Sequence, residues 1–556
     1  MGIASGLNDD ILLSIFDYYR LDKENAWNVR LGWCKLTHVC QEWRYLIFES
    51  AFHLDLHILC TNGTPIVETL DHIPSLPIFV NYQFTNKTIR EQDELGILHA
   101  LRLRDRVRSI DLRLPSSILH KYLMLMEEPF PRLEHLSLSV TVDQIIITTL
   151  ILPKTFLAPN LCHLILFGVG LPKRLRFLTS VVSIITLELR IIRASGYFSP
   201  RLLVARLQSL HQLEELSIGI SIPIPRPSAE RELLSKQGNP VTLPNLKILR
   251  FHGVSAYLEC LVAQIRAPLL ERLNIALFNQ IAFTLPLLSH FVITERIKLE
   301  SARVNFGPDA VTIIMDHRTE RKGELLNDGN FVLRVTCKQL DWQIDCAAQV
   351  CGELRHALSS VESLALDFHE RMMPTEWQNG GIDGTTWHEL LRPFIGAKRL
   401  HTDGTLSEEL SRALQVDEIG SDPGFLPDLR ELASLFEGGH PYSSFDSFIQ
   451  ARRVAGPPVA RSVCVKITSM RYIPDGRDPV RDLNNYLSGH PAGYLTPHLS
   501  FEMRQYGPNS QATHDAIAKF RGVEISRGKG LTIGSARRMA AVSALQHLET
   551  IYLELP

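Results

Sequence analysis

The chain has 556 residues, of which 45% are hydrophobic and 21% charged, and its formal net charge is −2. This balance excludes a disordered chain and is typical of a globular protein with room for more than one core. The most apolar internal stretch, IIITTLILP from Ile145, is too short to cross a bilayer, and no charged segment followed by an apolar one opens the sequence. We therefore expect a soluble protein with no membrane partner, located in the cytoplasm or the nucleus.

Motifs for catalysis or metal binding are missing from the sequence. There is no phosphate-binding loop, no Gly-x-Ser-x-Gly and no His-Glu-x-x-His. The nine cysteines are scattered, and Cys346 and Cys351 have no matching second pair at zinc-ligand spacing. We predict reduced thiols, no metal, no cofactor and no catalytic activity. An enzyme that uses other chemistry is the least favoured alternative.

The first apolar pattern predicts a helix near the start of the chain. In LNDDILLSIFDYY from Leu7, Asn8 and Asp9 are suitable N-caps. One stripe of this helix is apolar and consists of Ile11, Leu12, Ile15 and Phe16. A second helix is predicted over LTHVCQEWRYLI from Leu36, with an apolar face of Leu36, Val39, Cys40, Trp43 and Ile47. Two helices this short cannot bury both faces against each other, so apolar surface must contact the rest of the chain or a partner.

Over residues 1–50 the sequence resembles an F-box, the three-helix module with which substrate receptors dock on the Skp adaptor of cullin-RING ubiquitin ligases. The matching residues are Leu7, Asp9, Asp10, Ile11, Leu12, Ile15, Phe16, Val39, Cys40, Trp43 and Arg44. The resemblance implies adaptor binding through Leu7, Ile11, Leu12, Ile15, Phe16 and Trp43. The proline usual after the first leucine is Asn8 here. A plain helical cap on the following domain is the alternative.

An L-x-x-L-x-L pattern recurs through the middle of the chain. The copies are Val107-Ile110-Leu112, Leu133-Leu136-Leu138, Leu161-Leu164-Leu166, Ile184-Leu187-Leu189, Leu213-Leu216-Ile218, Leu246-Leu249-Phe251 and Leu270-Leu273-Ile275. Their first residues are separated by 26, 28, 23, 29, 33 and 24 positions, close to the spacing of leucine-rich repeats. Fainter copies occur at Val361, Leu364 and Leu366 and around Leu429 and Leu432.

Such a pattern predicts short strands that point alternate apolar residues into a shared core and stack beside one another as a curved solenoid. We assign this irregular leucine-rich-repeat-like solenoid to residues 51–470. ARLQSLHQL from Ala205 and YLECLVAQI from Tyr257 are predicted helical returns, and the Pro-rich segment from Ile222 a loop. The segments from Leu54 and from His440 are similar to the beginning and the end of this domain in fungal F-box proteins. A concave surface for a protein partner is the use that this architecture favours.

A different pattern follows a linker predicted over residues 471–479. VRDLNNYL from Val480 predicts a short helix, and LSFEMRQYGP from Leu499 alternates apolar and polar residues as a half-buried strand does. Two further strands with a turn at Gly522 are predicted from Ala516 onward. Ser535 is a suitable N-cap for a last helix whose buried stripe is Ala541, Ala544, Leu545 and Leu548.

This αβββα order over residues 480–550 resembles a double-stranded RNA-binding domain. The matching residues are Leu483, Asn484, Gly507, Pro508, Gly528, Gly530, Ala536, Arg537, Ala540, Ala541, Val542, Ser543, Ala544 and Leu545. The resemblance implies contact with duplex RNA through Pro508, Ser510, Lys529, Arg537 and Arg538. Ser510 replaces the family's usual histidine, and two of its three usual phosphate-binding cations are absent. A protein-binding or relict domain is the alternative.

The whole chain is thus expected to be a multidomain protein of mixed α/β and α+β class. The function that these resemblances favour is a non-catalytic substrate receptor of a Skp-cullin-F-box ubiquitin ligase. Its partners would be a Skp-type adaptor, an unidentified protein substrate and, through the C-terminal domain, double-stranded RNA. The alternative is an RNA-binding protein in which the F-box-like and leucine-rich parts are scaffold.

Overall fold

The structure is a computed structural model of the chain. It describes residues 8–21, 34–50, 54, 56–63, 67, 70, 76–83, 89–141, 150–172, 181–192, 196, 198–220, 240–295, 297, 299–317, 329–368, 384–403, 406, 410–411, 414, 426–436, 445, 448–450, 459–467, 499–506, 513–520, 523–530, 533, 536–537, 539–541 and 551–555. The predicted linker, the helix predicted from Val480 and nearly all of the Pro-rich loop from Ile222 lie outside these residues.

Two compact units divide the chain, Met1–Glu271 and Arg272–Pro556. Each unit is mixed α/β and contains a mostly parallel sheet. The predicted mixture of helices and strands is confirmed to this extent. The predicted domain boundaries near residues 50, 470 and 480 stay predictions. Within the described residues, no helix is long and apolar enough to span a membrane.

The first unit contains strands and helices in alternation. Its strands are β1 (Ile58–Cys60), β2 (Ile78–Gln83), β3 (Val107–Leu114), β4 (His135–Val140), β5 (Leu150–Ile151), β6 (His163–Phe167), β7 (Val169–Gly170), β8 (Thr186–Ile192), β9 (Glu215–Ile220), β10 (Val241–Thr242), β11 (Ile248–Gly253) and β12 (Ile265–Arg266). Its helices are α1 (Asp9–Leu21), α2 (Cys34–Thr37), α3 (Gln41–Glu49), α4 (Glu91–Arg102), α5 (Ser116–Leu125), α6 (Pro200–Leu207) and α7 (Ser255–Val262).

The long strands of this unit pair side by side in chain order. β1, β2, β3, β4, β6, β8, β9 and β11 form consecutive pairs, and every pair is parallel. The pairs β5–β7 and β10–β12 make two small parallel sheets. Stacking of consecutive parallel strands is what the repeated leucine pattern predicts for this part of the chain.

One backbone hydrogen bond recurs from each copy of the pattern to the copy before it. The amide of a residue shortly before each strand donates to the carbonyl of the equivalent residue one copy earlier, at 2.8 to 2.9 Å. We call this series the repeat ladder; its residues are Arg108, Glu134, Cys162, Ile185, Glu214, Lys247 and Glu271. Their spacing equals the spacing predicted from the leucines, so the irregular repeat lengths do not shift the register of the sheet.

Ion pairs reinforce two steps of the repeat ladder. Arg108 Nε lies 2.8 Å from Glu134 Oε1, and Lys247 Nζ lies 2.9 Å from Glu214 Oε2. All four side chains are partly exposed, so solvent screens both pairs and neither contributes much to stability. Their opposite charges favour the observed pairing of adjacent copies of the pattern more than they add to the stability of the fold.

The core lies where the leucine pattern places it. In the seven predicted copies, every apolar residue is buried except Leu270, which is half-buried. The fainter copies of the pattern also mark core positions correctly. Their apolar residues are all buried: Val361, Leu364, Leu366, Leu429 and Leu432. The alternation within each strand therefore identifies its buried face correctly.

The helical returns differ in position from the prediction. The helix predicted from Ala205 begins at Pro200, because Ser199 accepts a hydrogen bond from the Leu202 amide at 3.3 Å and Pro200 occupies the first turn. It ends at Leu207, so the predicted segment overlaps only its last turn. The helix predicted from Tyr257 is present as α7, which begins two residues earlier.

The second unit contains the remaining elements. Its strands are β13 (Arg272–Leu277), β14 (Ser301–Phe306), β15 (Ala310–Asp316), β16 (Phe331–Thr336), β17 (Ser363–Phe368), β18 (Arg399–Asp403), β19 (Glu431–Phe436), β20 (Ala460–Ile467), β21 (Leu499–Tyr506), β22 (Thr513–Phe520), β23 (Val523–Gly530) and β24 (Ile551–Leu555). Its helices are α8 (Pro286–Thr294), α9 (Leu340–Glu353), α10 (Arg355–Leu358) and α11 (Gly384–Leu391).

A meander interrupts the chain order of this unit. β14, β15 and β16 pair antiparallel in sequence, while β13 pairs parallel with β16 and β14 pairs parallel with β17. From β17 to β20 the strands again pair parallel and in chain order, and β24 pairs antiparallel with β20. The sequence patterns predicted β17 and β19 but not the meander.

Gly396 is a position where close packing excludes a side chain. A Cβ there would lie 2.4 Å from the Ser359 carbonyl oxygen, whereas a Cβ on Gly352 of α9 would meet no atom within 4 Å. We expect Gly396→Ala to destabilise the second unit by about 1 to 3 kcal/mol because the backbone must shift. Gly352→Ala should be neutral or stabilising by up to about 1 kcal/mol, since alanine is the better helix former. Chemical denaturation followed by circular dichroism measures both, and equal effects would contradict the packing at Gly396.

Candidate functional site

Helix α1 carries two apolar stripes that differ in exposure. Leu12 and Phe16 are buried, whereas Ile11, Ile15 and Tyr18 are 49%, 43% and 72% exposed. The exposed three are spaced i, i+4 and i+7 and therefore lie on one face of the helix. Four of the predicted adaptor-binding residues thus divide into a pair that holds the helix to its own module and a pair that faces outward.

The buried stripe packs α1 against α3. The rings of Phe16 and Trp43 meet edge to face with their centroids 4.9 Å apart, an arrangement that stabilises aromatic pairs beyond the area they bury. Ile47, one turn after Trp43, is also buried. The packing of α3 on α1 therefore places Trp43 beside the other predicted adaptor-binding residues that lie on α1. Leu7, the remaining member of that set, lies outside the described residues.

The start of α1 does not require the proline that an F-box usually has there. The Asn8 carbonyl accepts from the amides of Ile11 and Leu12 at 3.0 Å, and its side-chain oxygen accepts from the Asp10 amide at 3.3 Å. Asp9 and Asp10 add negative charge at the positive end of the helix dipole. Asn8 thus caps the helix as predicted.

The prediction of one continuous helix from Leu36 is wrong. The chain forms α2, a turn at His38 and Val39, and then α3. Cys40 has an extended backbone and caps α3, because its Sγ accepts from the Trp43 amide at 3.4 Å. Arg44 Nε donates to the Thr37 carbonyl at 2.9 Å and holds the turn closed. The apolar spacing is continuous across a cap that periodicity alone does not detect.

The break in this helix exposes further apolar surface. Val39 in the turn and Tyr45 on α3 are both exposed. A shallow groove runs along α3 and is lined by Gln41, Arg44, Tyr45, Phe48 and Glu49. The neighbouring Glu49 raises the pKa of Tyr45, first as a hydrogen-bond acceptor and then through its negative charge. Apolar residues are therefore exposed on α1, on the turn and on α3.

The predicted C-terminal strands form a three-stranded antiparallel sheet. β21 pairs with β22 and β22 with β23, both antiparallel. Residues 533, 536–537 and 539–541 are helical, and Ala536, Ala540 and Ala541 are buried. Ser526 of β23 donates to the Ala540 carbonyl at 2.7 Å and ties the helix to the sheet. Ser535, the predicted N-cap of this helix, lies outside the described residues.

Two of the predicted RNA-binding residues are described, and both are exposed. Arg537 lies over the ring of Phe501 with its guanidinium carbon 5.5 Å from the ring centroid, and Lys529 Nζ lies 3.9 Å from Asp515 Oδ2. A cation held on an aromatic face keeps its outer side open to an anion. Pro508, Ser510 and Arg538 lie outside the described residues.

Carboxylates neutralise the other cations described on this sheet. Arg504 and Lys519 both pair with Glu502, and Arg527 pairs with Glu524. These contacts lower the pKa of Glu502 and of Glu524, because hydrogen bonds from Lys519, Arg504 and Arg527, and then their positive charges, favour the ionised carboxylates. Affinity for nucleic acid depends on neutralising phosphates, so the described cations best placed to do so are Arg537 and then Lys529, whose contact with Asp515 is longer at 3.9 Å.

Polar side chains also occupy positions between the buried leucines, and none of them was among the predicted site residues. In the first unit, the rings of His135 and His163 on neighbouring strands are 5.8 Å apart, and His163 Nδ1 lies 3.1 Å from Thr186 Oγ1. Burial lowers the pKa of His135, with Asp111 opposing the effect. Positions of this kind lie between the leucines of the repeated pattern, and most of them are polar, so the sequence could have indicated them.

A comparable polar group lies on the sheet of the second unit. Arg303 Nε is 3.0 Å from Asp367 Oδ2, and burial lowers the pKa of the neighbouring His401. Among the residues that the structure describes, no group of three or more His, Cys, Asp or Glu side chains is arranged to hold a metal ion.

Comparison with known proteins adds no family assignment. No protein-family model matches the sequence, and no curated protein matches it significantly.

The two stripes of α1 can be separated by mutation. Leu12→Ala should destabilise the helical module by about 2 to 5 kcal/mol, because it leaves a cavity at a fully buried position. Ile11→Ala should change stability by less than about 0.5 kcal/mol, because its side chain is already half exposed. Hydrogen exchange of the α1 amides in the full chain measures both changes. Comparable loss of protection in the two variants would contradict the assignment of the stripes.

Proposed function

We propose that this chain is a non-catalytic substrate receptor of a Skp-cullin-F-box type ubiquitin ligase. In this role α1, α2 and α3 form the F-box and dock on a Skp-type adaptor. The parallel sheets form a leucine-rich-repeat solenoid that holds a protein substrate. The observation that carries the proposal is the exposed apolar stripe of Ile11, Ile15 and Tyr18 on a helix whose opposite stripe is already buried.

An exposed stripe of this kind favours docking on physical grounds. Full burial of an isoleucine is worth roughly 1.5 to 3 kcal/mol, and Ile11 and Ile15 each retain about half of that potential. The adjoining exposed residues Val39 and Tyr45 extend the available apolar surface of the module. If the three helices were only a cap on the following domain, these exposed side chains would not stabilise it, because they do not pack on the rest of the chain.

The repeats support the second half of the proposal. Strands that stack in chain order present alternate residues on a broad face that is not used for the core, and such faces are suited to extended protein partners. The polar residues of this face include His135, His163 and Thr186. These polar positions, rather than the buried leucines, would determine which protein substrate is bound.

Adaptor binding is tested by placing charges on the exposed stripe. Ile11→Asp with Ile15→Asp should weaken binding of the full chain to its host's Skp-type adaptor by at least about tenfold, because two carboxylates would be buried without partners. The matched control is Leu95→Asp on α4, which is 52% exposed and lies outside the helical module. Isothermal titration with the purified adaptor measures the affinity, and circular dichroism checks the fold.

Binding that the double variant and the Leu95→Asp control retain equally would contradict docking through α1. Absence of binding by the unmodified chain would reject the ligase-receptor proposal itself. Hydrogen exchange of α1 in each variant distinguishes loss of the docking surface from unfolding of the module.

Duplex RNA binding by the C-terminal sheet is a second candidate function. The specific observation that favours it is an alanine-faced helical segment on a three-stranded antiparallel sheet, with Arg537 exposed on that segment. An exposed arginine there is available to neutralise a phosphate. Lys529, near the end of β23, supplies a second exposed cation.

The RNA function is tested by removing the arginine pair. Arg537→Ala with Arg538→Ala should weaken binding of the full chain to duplex RNA and reduce its salt dependence, by a slope of up to about 2 on logarithmic axes. Arg355→Ala with Arg392→Ala removes the same charge from exposed positions elsewhere and is the control. Fluorescence anisotropy over a salt series measures both. An unchanged slope in the first variant would reject Arg537 and Arg538 as phosphate ligands.

A further inference from the structure

Helix α9 of the second unit leaves a large apolar side chain half exposed near its start. Trp342 is 52% exposed, although the next residue, Gln343, is fully buried. Trp342 shares one side of the helix with Cys346, Gln349 and Glu353, because these residues follow it at i+4, i+7 and i+11. Another segment of the chain covers the part of this side that follows Trp342.

The covering segment, residues 279–285, lies between β13 and α8 and is attached to α9 at three points. The three hydrogen bonds are Cys346 Sγ to Asn279 Oδ1 at 3.7 Å, the Phe283 amide to Gln349 Oε1 at 3.3 Å, and the Leu285 amide to Glu353 Oε2 at 2.9 Å. The covering segment and the helix therefore run in the same direction. Trp342 lies one turn before the first of these contacts, so it continues the side of the helix that the segment covers.

The covering segment presents a second apolar side chain to solvent. Phe283 and Leu285 are buried, whereas Ile281 is fully exposed. Because the contacts of Asn279 and Phe283 stand on either side of it, the backbone at Ile281 is held against the helix. Large apolar side chains that are exposed but fixed in place are suited to burial by a partner, and tryptophan is among the residues that contribute most at protein interfaces.

Two carboxylates lie beside Trp342 and face solvent. Asp341 and Asp345 are exposed and spaced i, i+4, so they share a side of α9 on which their like charges repel each other. Asp345 accepts a hydrogen bond from Gln349 Nε2 at 3.0 Å, which orients its carboxylate. Within the described part of the chain, no lysine or arginine pairs with either aspartate, including Lys338 just before the helix. Their negative charge is therefore available to a cation of a partner.

We propose that Trp342, Ile281, Asp341 and Asp345, here called the α9 surface, bind a short segment of a partner protein that carries lysine or arginine next to apolar residues. The partner's apolar side chains cover Trp342 and Ile281. Its cation pairs with the carboxylates beside the indole ring, where a cation–π contact with tryptophan adds to the attraction. An acidic peptide or a nucleic acid is disfavoured, because its charge has the same sign as the two aspartates.

The test uses the full chain and three labelled octapeptides. In the first peptide lysine alternates with leucine; in the second glutamate replaces every lysine, and in the third serine replaces every leucine. Fluorescence anisotropy should show that the chain binds the lysine–leucine peptide at least about tenfold more tightly than either of the others, because both charge and apolar side chains are required. Equal binding of the lysine–serine peptide, or no binding of the lysine–leucine peptide, would overturn the proposal.

Substitutions on α9 locate the bound peptide. Trp342→Ala should weaken binding of the lysine–leucine peptide at least about fivefold, because it removes both the apolar contact and the aromatic face. Asp341→Asn with Asp345→Asn should have an effect of similar size and should also reduce the salt dependence of binding. Hydrogen exchange of the α9 amides checks that the helix is intact, as expected for substitutions at exposed positions. Undiminished binding by the Trp342→Ala chain would overturn the site.

Matched controls lie elsewhere on the chain. Ile395→Ala shortens an apolar side chain of the second unit that is also 52% exposed, and Asp309→Asn with Asp428→Asn removes the same charge from exposed positions of that unit. We expect both controls to bind the lysine–leucine peptide like the unmodified chain, and losses equal to those of the α9 variants would overturn the site. Unchanged binding by Ile11→Asp with Ile15→Asp would separate the α9 surface from the proposed adaptor contact, and its loss there would overturn an independent site on α9.

Discussion

Pairing between neighbouring strands is the interaction on which the rest of the structure depends. A single copy of the leucine pattern has one apolar face and cannot bury it alone, so each strand requires the one before it. The repeat ladder supplies this link through the backbone, from Arg108 to Glu271, and its bond lengths are uniform although the copies differ in length. Variation in length is accommodated between the strands, so the returns and loops can change without changing the core.

The leucine pattern predicted the buried face of the strands that carry it, because alternation within a strand depends on local residues alone. It could not predict the meander of β14 to β16, since the same alternation serves parallel and antiparallel neighbours and pairing partners are set by distant segments. The boundary between α2 and α3 was missed for a related reason. The apolar spacing continues through Val39, and only the extended backbone of Cys40 ends the helical turn.

The candidate surfaces were predictable to different degrees. Periodicity identified Ile11, Leu12, Ile15 and Phe16 as one stripe, but which of them face outward depends on Trp43, which follows at a distance in the sequence. On the C-terminal sheet, a count of charges could not show that Glu502 and Glu524 neutralise the cations beside them. Exposed apolar residues therefore give the helical module a stronger physical argument for binding than charge gives the sheet.

The meander also bears on how such a chain can change in length. Between β3 and β11 each strand pairs with its immediate successor in the array, so duplication or loss of one whole copy leaves equivalent edges to rejoin. At the meander, β13 joins β16 and β14 joins β17. Removal of any one of these strands would leave mismatched neighbours or reverse a strand direction. Gain or loss of copies is therefore expected in the first unit, while the meander is inherited as an indivisible block.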